Sequence, residues 1–183
     1  MTQQLRGVIL LALLLFITAC TTLKTGSECY IDEETLAGYQ TFSWISANAL
    51  TVYDETQYVS PRMIEQIMDG IQNGFEDAGY GAIESEEDAD FLVSAVITTR
   101  QTREDVIYFP AKSPDFLNSV ERGDVHLKLK TSGFLAVDVY DGTTGAPLWR
   151  GWAERPLDIS DRKKAKQVIR QAVTTIIAQF PAR

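Results

Sequence analysis

Apolar and polar residues alternate along several stretches of the chain, which is the pattern of half-buried β-strands. Phe42 and Trp44 share one face of such a stretch, and residues 91–98 form a mostly apolar, β-branched run typical of a strand inside a sheet. Further alternation predicts strands over 125–130, 134–140 and 146–154. The pattern therefore predicts about five strands.

Two other stretches have the 3.6-residue apolar period of a helix packed on a core. Ser60 suits an N-cap, Pro61 suits the first helical position and Gly79 supplies a left-handed stop, so the first helix spans about 61–78. The second is predicted over about 161–179, because Pro181 prevents its continuation. Its apolar stripe consists of Ala165, Val168, Ile169, Ala172, Val173, Ile176, Ile177 and Phe180.

Between these elements lie segments with turn chemistry or without a period. Thr-Ser-Gly at 131–133 is predicted as a turn between two strands, and Asp-Gly-Thr-Thr-Gly at 141–145 as the turn of a hairpin. Residues 47–59 are predicted to form a loop, with a short extended piece near 50–53 left open. Residues 102–123 are irregular, and a connection of that length is either functional or contains structure that the pattern misses.

The first twenty residues are typical of a secretory signal. Arg6 precedes an unbroken apolar run over 8–17, which is too short to span a hydrocarbon core and is followed by small residues. Its end, Ile17-Thr18-Ala19-Cys20, resembles a bacterial lipobox. In that lipoprotein class the Cys20 thiol carries diacylglycerol, cleavage falls before Cys20, and the freed amine is usually acylated. Two or three acyl chains, palmitate among them, hold a protein firmly on a membrane.

Composition and charge narrow the partner classes. Of 17 basic residues only Arg6 lies in the signal, so the mature chain has 16 basic and 25 acidic side chains. A net negative surface repels phosphate backbones, and nucleic acid is therefore not expected as a partner. With Cys20 lipidated, Cys29 is expected to be a lone thiol.

These elements predict one α+β domain. The order β-α-β-β-β-β-α suits a two-layer sandwich, a mainly antiparallel sheet of about five strands with two helices packed on one face. The predicted organisation is a signal peptide over 1–19, a lipidated flexible tether over 20–35 and a single globular domain over 36–183.

Short motifs in a fixed order run through most of this domain. They are Tyr39-x-Thr41-Phe42-Ser43-Trp44, Gly79-Tyr80, Ala89-Asp90-Phe91-Leu92-Val93, Leu135-x-Val137-Asp138-Val139, Leu148-Trp149-Arg150-Gly151 and Phe180-Pro181. The set resembles a family of bacterial envelope lipoproteins known only as domain of unknown function 4136. The likeness covers about 38–181 and implies an envelope location, but it brings no catalytic residues.

The predicted strand order also orients the domain on its anchor. Residues 47–59, 102–123 and 141–145 are expected to gather at the end away from the membrane, where irregular loops carry binding. Their aromatics are the candidate partner-binding rim, namely Tyr53, Tyr108, Phe109 and Phe116. Basic residues crowd the start of the last helix against its dipole, and we expect them near anionic headgroups. This candidate headgroup patch consists of Arg162, Lys163, Lys164, Lys166 and Arg170.

No motif of catalysis or cofactor binding stands out. The chain has no H-E-x-x-H, paired metal cysteines, G-x-S-x-G or glycine-rich phosphate loop, and the only histidine, His126, is expected on a solvated strand face. No catalytic residue, metal site or cofactor is predicted. We expect a non-enzymatic lipoprotein that binds another envelope protein from the periplasmic face of the outer membrane. Thr21 is not the Asp that in many Gram-negative bacteria retains lipoproteins on the inner membrane. The alternative is a carrier or sensor of a small apolar ligand held between sheet and helices.

Overall fold

The computed structural model describes residues 23–36, 38–108, 124–157 and 164–181, without the side chains of 33, 103–108 and 124–129. Within these ranges the chain forms one open seven-stranded sheet and three helices. In chain order they are β1 (Lys24–Cys29), α1 (Glu33–Leu36), β2 (Thr41–Trp44), β3 (Leu50–Asp54), α2 (Pro61–Asp77), β4 (Gly81–Ala82), β5 (Phe91–Tyr108), β6 (Asp124–Asp141), β7 (Pro147–Leu157) and α3 (Ala165–Ile177).

The two long helices form where their caps and apolar period predict them. The Ser60 side chain accepts a hydrogen bond from the Met63 amide, Pro61 is the first residue of α2, and Gly79 has φ +98° just after the helix ends. Helix α3 buries its apolar stripe from Ala165 onward. The predicted start of the last helix, at 161–163, lies outside the described residues.

Backbone pairing gives the sheet the order β1-β7-β6-β5-β2-β4, with β3 also paired to β5. The pairs β5–β6, β6–β7 and β7–β1 are antiparallel, whereas β2 and β3 run parallel to β5 and β4 runs parallel to β2. The predicted turn at 131–133 is wrong. Thr131, Ser132 and Gly133 continue β6, because they pair with β5 on one side and β7 on the other and this pairing overrides their turn propensity.

The prediction of a mixed α+β fold is confirmed, and its details change. A single open sheet of seven strands replaces the two-layer sandwich with about five, and α1 is a helix that the pattern missed. The flexible tether predicted over 20–35 is wrong for Lys24–Cys29, which pairs with β7 over six residues. The hairpin turn at 141–145 and the extended piece near 50–53 are confirmed.

Side chains from the sheet and all three helices meet in one core. Phe75 of α2 lies at its centre, with ring centroids 5.3 Å from Phe42, 5.6 Å from Phe91 and 5.0 Å from Phe180. The core lies on one face of the sheet, since alternate residues of β5, β6 and β7 enter it together with the buried stripes of α2 and α3. The other face carries no helix among the described residues, and we call it the helix-free face.

The longest strands continue past the rest of the sheet. Strand β7 ends at Leu157, opposite Thr131, whereas β5 and β6 remain paired from Thr102 and Lys130 to Tyr108 and Asp124. Seven residue pairs therefore form a two-stranded ribbon, which extends about 23 Å at 3.3 Å per residue.

Candidate functional site

The first candidate site lies where the chain enters the domain. Strand β1 runs antiparallel to β7, so Lys24 pairs with Glu154 near the end of β7, and Leu23 contacts the core there. Helix α3 begins at the same end, because Leu23 and Ala165 line one pocket. We call this the anchor end, since Cys20, the predicted lipidation site, precedes Leu23 by three residues. Cys20 itself lies outside the described residues.

The pocket at the anchor end lies between the sheet and both long helices. Its volume is about 70 Å³ and its surface is almost entirely apolar. Buried residues make its floor, among them Ile97, Leu135, Ile169 and Ala172. The half-buried members of the lining are Leu23, Val59, Met63, Gly133, Phe134, Arg155, Leu157 and Val168.

The described part of the predicted headgroup patch is close to this pocket. Lys164 and Lys166 are exposed and flank Ala165, which lines the pocket, and Arg170 is exposed one turn further along α3. Lys166 and Arg170 also line a groove between α2 and α3 that includes Asp69. Arg162 and Lys163 lie outside the described residues. The structure therefore places three cations of the patch near the start of α3.

An ion pair occupies the helix-free face. Arg150 donates from Nε to Oδ1 of Asp138 at 2.5 Å and from Nη2 to Oδ2 at 3.0 Å, and the two residues are directly opposite each other on β7 and β6. Asp138 is only 6% exposed, and the two hydrogen bonds compensate for its burial. The same pairing raises the pKa of Arg150 above its ordinary value.

Aromatic residues lie beside this ion pair. The indole of Trp152 stacks on Phe134 at 6.2 Å and covers Gly26, where a Cβ would be 2.7 Å from the indole ring. Next to Phe134, the side chains of Thr98, Arg100, Ser132 and Glu154 surround a surface hollow of about 260 Å³. The helix-free face is thus a sheet surface with apolar and charged groups side by side.

The structure separates two of the four predicted rim aromatics. Tyr53 is 61% exposed on β3, opposite Thr98, whereas Tyr108 ends β5 ten residues further along. Ten strand residues span about 33 Å, so these two tyrosines do not form one patch. The side chain of Tyr108 is not described, and Phe109 and Phe116 lie outside the described residues.

The predicted orientation of the loops is wrong. Because 131–133 continues a strand, β6 runs the full length back along β5, and its end at Asp141 pairs with Phe91. The Gly142 amide also donates to the Asp90 carbonyl, which fixes the 141–145 turn beside the start of β5. The ribbon instead points beyond the anchor end. The 141–145 turn and the ribbon therefore lie at opposite ends of the sheet.

Titratable groups of the described residues mostly hold loops in place. Burial raises the pKa of Asp54, but hydrogen bonds from Thr99, Val59 and Thr56 outweigh it and lower that pKa to about 2.

His126 pairs with Val106 in the ribbon, and its side chain is not described. Among the described residues no group of three or more His, Cys, Asp or Glu side chains is placed to hold a metal ion.

Cys29 is an exposed free thiol among the described residues, and its Sγ donates to the Ile31 carbonyl at 3.1 Å. It lies at the end of β1 away from Leu23, within the sheet and not on a tether. No helix of the described residues has the length and apolarity needed to cross a bilayer.

Comparison with known families identifies the domain. The family described as domain of unknown function DUF4136 matches residues 30–182. The chain belongs to the DUF4136 family. The match covers the core, α2 and α3, and confirms the family that the ordered motifs indicate. No curated protein matches the chain.

Two solved structures with TM-scores of 0.50 and 0.51 share the fold of this DUF4136 chain at low identity. The PelC dodecamer from Paraburkholderia phytofirmans aligns with a TM-score of 0.50 and 13% identity, over 88% of this chain and 98% of that chain. A PDZ domain protein from Parabacteroides distasonis aligns with a TM-score of 0.51 and 13% identity, over 93% of this chain and 39% of that one. A DUF4136 family protein from Bacteroides thetaiotaomicron gives a TM-score of 0.49 at 12% identity, over 88% and 98% of the two chains.

Sequence reasoning missed β1 and the pocket. The six residues of β1 are all polar or small, and five of them are exposed, so the strand has no apolar alternation to reveal it. Its one signal is Gly26, whose missing side chain leaves room for Trp152, and that signal is visible only once β1 and β7 are paired.

Proposed function

We propose that this DUF4136 protein is a lipoprotein, anchored through Cys20 at the periplasmic face of the outer membrane, that acts as a non-enzymatic binding or assembly module for another envelope component. The anchor proposal rests on the signal-like start and lipobox-like end of residues 1–20. The non-enzymatic role rests on the sequence, which carries none of the nucleophile, metal or phosphate-loop motifs considered above.

The observation that carries the binding role is the helix-free face. A sheet face that no helix covers is normally polar, yet this one presents the Phe134–Trp152 stack and the exposed ring of Tyr53. A protein of similar fold is a dodecamer, as the name of the PelC structure states. The dodecameric state of that protein supports self-assembly as one form of the binding role that we propose for this chain.

The basic residues at the start of α3 fit the same proposal. Lys164, Lys166 and Arg170 are exposed near the anchor end, where a lipid on Cys20 brings the domain to the membrane. Cations near an anionic lipid surface gain about 1 kcal/mol each. We infer that this patch contacts headgroups, which accounts for cations at an unfavourable helix end.

The alternative, a carrier or sensor of a small apolar ligand, has weaker support. It requires a cavity between sheet and helices, and the pocket there measures about 70 Å³. Pockets that enclose a whole small-molecule ligand usually measure about 300–1,000 Å³. The pocket is at the position that the alternative requires, but it is several times too small.

Site-specific crosslinking in cells tests the binding role. A photocrosslinking amino acid at Tyr53, on the helix-free face, is compared with one at Glu76, which is exposed on α2. The proposal expects one reproducible crosslinked product from position 53, either a second copy of the chain or one envelope protein, and no such product from position 76. Equal, diffuse labelling from both positions would count against a dedicated binding face. A third probe at Tyr108 asks whether the ribbon contacts the same partner.

A further inference from the structure

We propose that the apolar pocket at the anchor end receives one acyl chain of the protein's own lipid on Cys20. The inference rests on the proposed lipidation of Cys20 and adds where that lipid goes. One chain then lies against the domain while the others enter the bilayer. The anchor is accordingly a structural ligand of the fold as well as its attachment to the membrane.

The chemistry of the pocket fits an acyl chain. Its floor is formed by buried aliphatic side chains of β5, β6 and α3, including Ile97, Leu135 and Ile169. The polar side chain deepest in the wall, Thr99, donates its hydroxyl hydrogen bond to Asp54. Such a lining suits an apolar group that forms no hydrogen bonds, such as a methylene chain.

The position of the pocket indicates that the acyl chain comes from Cys20 of the same molecule. Leu23 lines the pocket, and Cys20 precedes it by three residues, a reach of about 10–11 Å for extended backbone. Strand β1 is held in the sheet by six residue pairs with β7, so the lipidated residue cannot move far from the pocket. The half-buried side chains of Leu157 and Val168 lie in the same lining and leave it accessible from the surface.

The pocket is large enough for only part of a tethered acyl chain. About 70 Å³ is too small to enclose a complete lipid, which separates this proposal from a carrier function. A chain that is already attached nearby loses little translational freedom when it enters, because its effective concentration is high. A shallow apolar site therefore suffices for a tethered chain where it would not hold a free ligand.

Photoactivatable palmitate tests the proposal in the full-length protein. Cells expressing the chain are fed palmitate with a diazirine near its terminal methyl group, irradiated and extracted, and the crosslinked peptides are mapped by mass spectrometry. We expect crosslinks within one molecule to α3 around 165–172 and to the Met63–Ile67 turn of α2. In Val168→Phe, which narrows the pocket at a half-buried position, these crosslinks fall at least fivefold. Ala178→Phe, exposed beyond the other end of α3, leaves them unchanged.

The outcomes separate this inference from the proposed lipidation. Label that is lost in Cys20→Ser but never crosslinks to α3 or α2 leaves the anchor in place and overturns the pocket proposal. Crosslinks to α3 that Val168→Phe and Ala178→Phe reduce equally overturn it as well. Absence of label from the wild-type chain overturns both proposals. The wild-type peptide map decides the site even if a variant folds poorly.

Discussion

The phenol of Tyr39 donates a 2.6 Å hydrogen bond to Oδ2 of Asp141, joining the segment before β2 to the turn between β6 and β7. Oδ1 of the same carboxylate accepts from the amides of Thr143 and Thr144 and from the Thr144 hydroxyl. The bonds from Tyr39 and Thr144 lower the pKa of Asp141 to about 2. Burial, with the bond to Asp141, raises the pKa of Tyr39 to about 12.

This pair predicts a specific pH dependence of stability. Because the folded state lowers the pKa of Asp141 from 3.8 to about 2, its carboxylate stabilises the fold fully above about pH 4. That contribution is lost as the pH falls through 2. Asp141→Asn should therefore cost about 1–2 kcal/mol in the free energy of unfolding at pH 7 and progressively less between pH 4 and pH 2. Denaturant unfolding at a series of pH values measures the difference.

Tyr39→Phe provides the matched control, since it removes one donor and leaves the turn bonds of Asp141 intact. A double-mutant cycle with Asp141→Asn should give a coupling energy of about 0.5–1.5 kcal/mol at pH 7. Above pH 10 the unfolded tyrosine ionises before the folded one, so wild-type stability should fall as the pH rises towards 12. A penalty for Asp141→Asn that is constant from pH 7 to pH 2 would contradict the assigned hydrogen bond.

The Asp138–Arg150 pair predicts a second, asymmetric result. Arg150→Met leaves a nearly buried carboxylate without its partner and should destabilise the domain by about 2–3 kcal/mol, a figure reduced because Arg150 is partly exposed. Asp138→Leu combined with Arg150→Met should recover most of that loss, because no charge is then left unpaired. Thermal unfolding of the wild type, Arg150→Met and the double variant tests this prediction. If the double variant is less stable than Arg150→Met alone, the ion pair contributes more to stability than compensation for the burial of Asp138.

A side chain at Gly151 is predicted to lower the stability of the domain. A Cβ there would lie 2.1 Å from Cη2 of Trp149 and 2.8 Å from Ile176, and Trp149 is only 2% exposed and fixed in the core. Gly151→Ala should therefore cost about 2–3 kcal/mol through overpacking. Gly81→Ala is the control, because its Cβ would meet nothing closer than 3.8 Å, and its effect should stay within about 0.5 kcal/mol. Similar unfolding midpoints for the two variants would contradict the described packing of β7 against α3.

The headgroup proposal predicts salt-sensitive membrane binding of the unlipidated domain. Replacing Lys166 and Arg170 by Gln should weaken binding to anionic vesicles about 30-fold at low salt, because each cation contributes about 1 kcal/mol. Binding to neutral vesicles should not change, and Arg100→Gln, on the helix-free face, should change neither. Cosedimentation at low and high salt measures this. Equal affinity of the wild-type domain for anionic and neutral vesicles would remove the proposal.

Local signals predicted the helices and the hairpin, because caps, glycine stops and apolar periods act within a few residues. Ser60, Pro61 and Gly79 set the limits of α2 as expected, and the 141–145 turn joins β6 to β7. Pairing between distant strands was not readable in this way. The predicted turn at 131–133 implies one extra reversal of the chain, and this reversal alone puts the 141–145 turn at the wrong end of the sheet.

The candidate site was even less accessible to sequence reasoning. The sequence predicts strands that contain Phe134 and Trp152, but the stacking of these rings depends on a register between β6 and β7 that no local signal fixes. The pocket depends on side chains from β1, β5, β6, β7, α2 and α3 that meet only in the folded chain. The basic residues of α3 were visible as a charge run, and only the pairing of β1 brings them close to Leu23.

The pairing of β1 with β7 also limits how far the domain can lie from its proposed lipid anchor. Strand β1 is bound to β7 along its whole length, and Cys20 precedes Leu23, the first described residue, by three residues, a reach of about 10–11 Å of backbone. In the proposed anchored form the domain therefore stays close to the bilayer, and its partner must come to the membrane surface. A pulling force on the proposed lipid would load the hydrogen bonds between β1 and β7 in shear before any other described part of the fold.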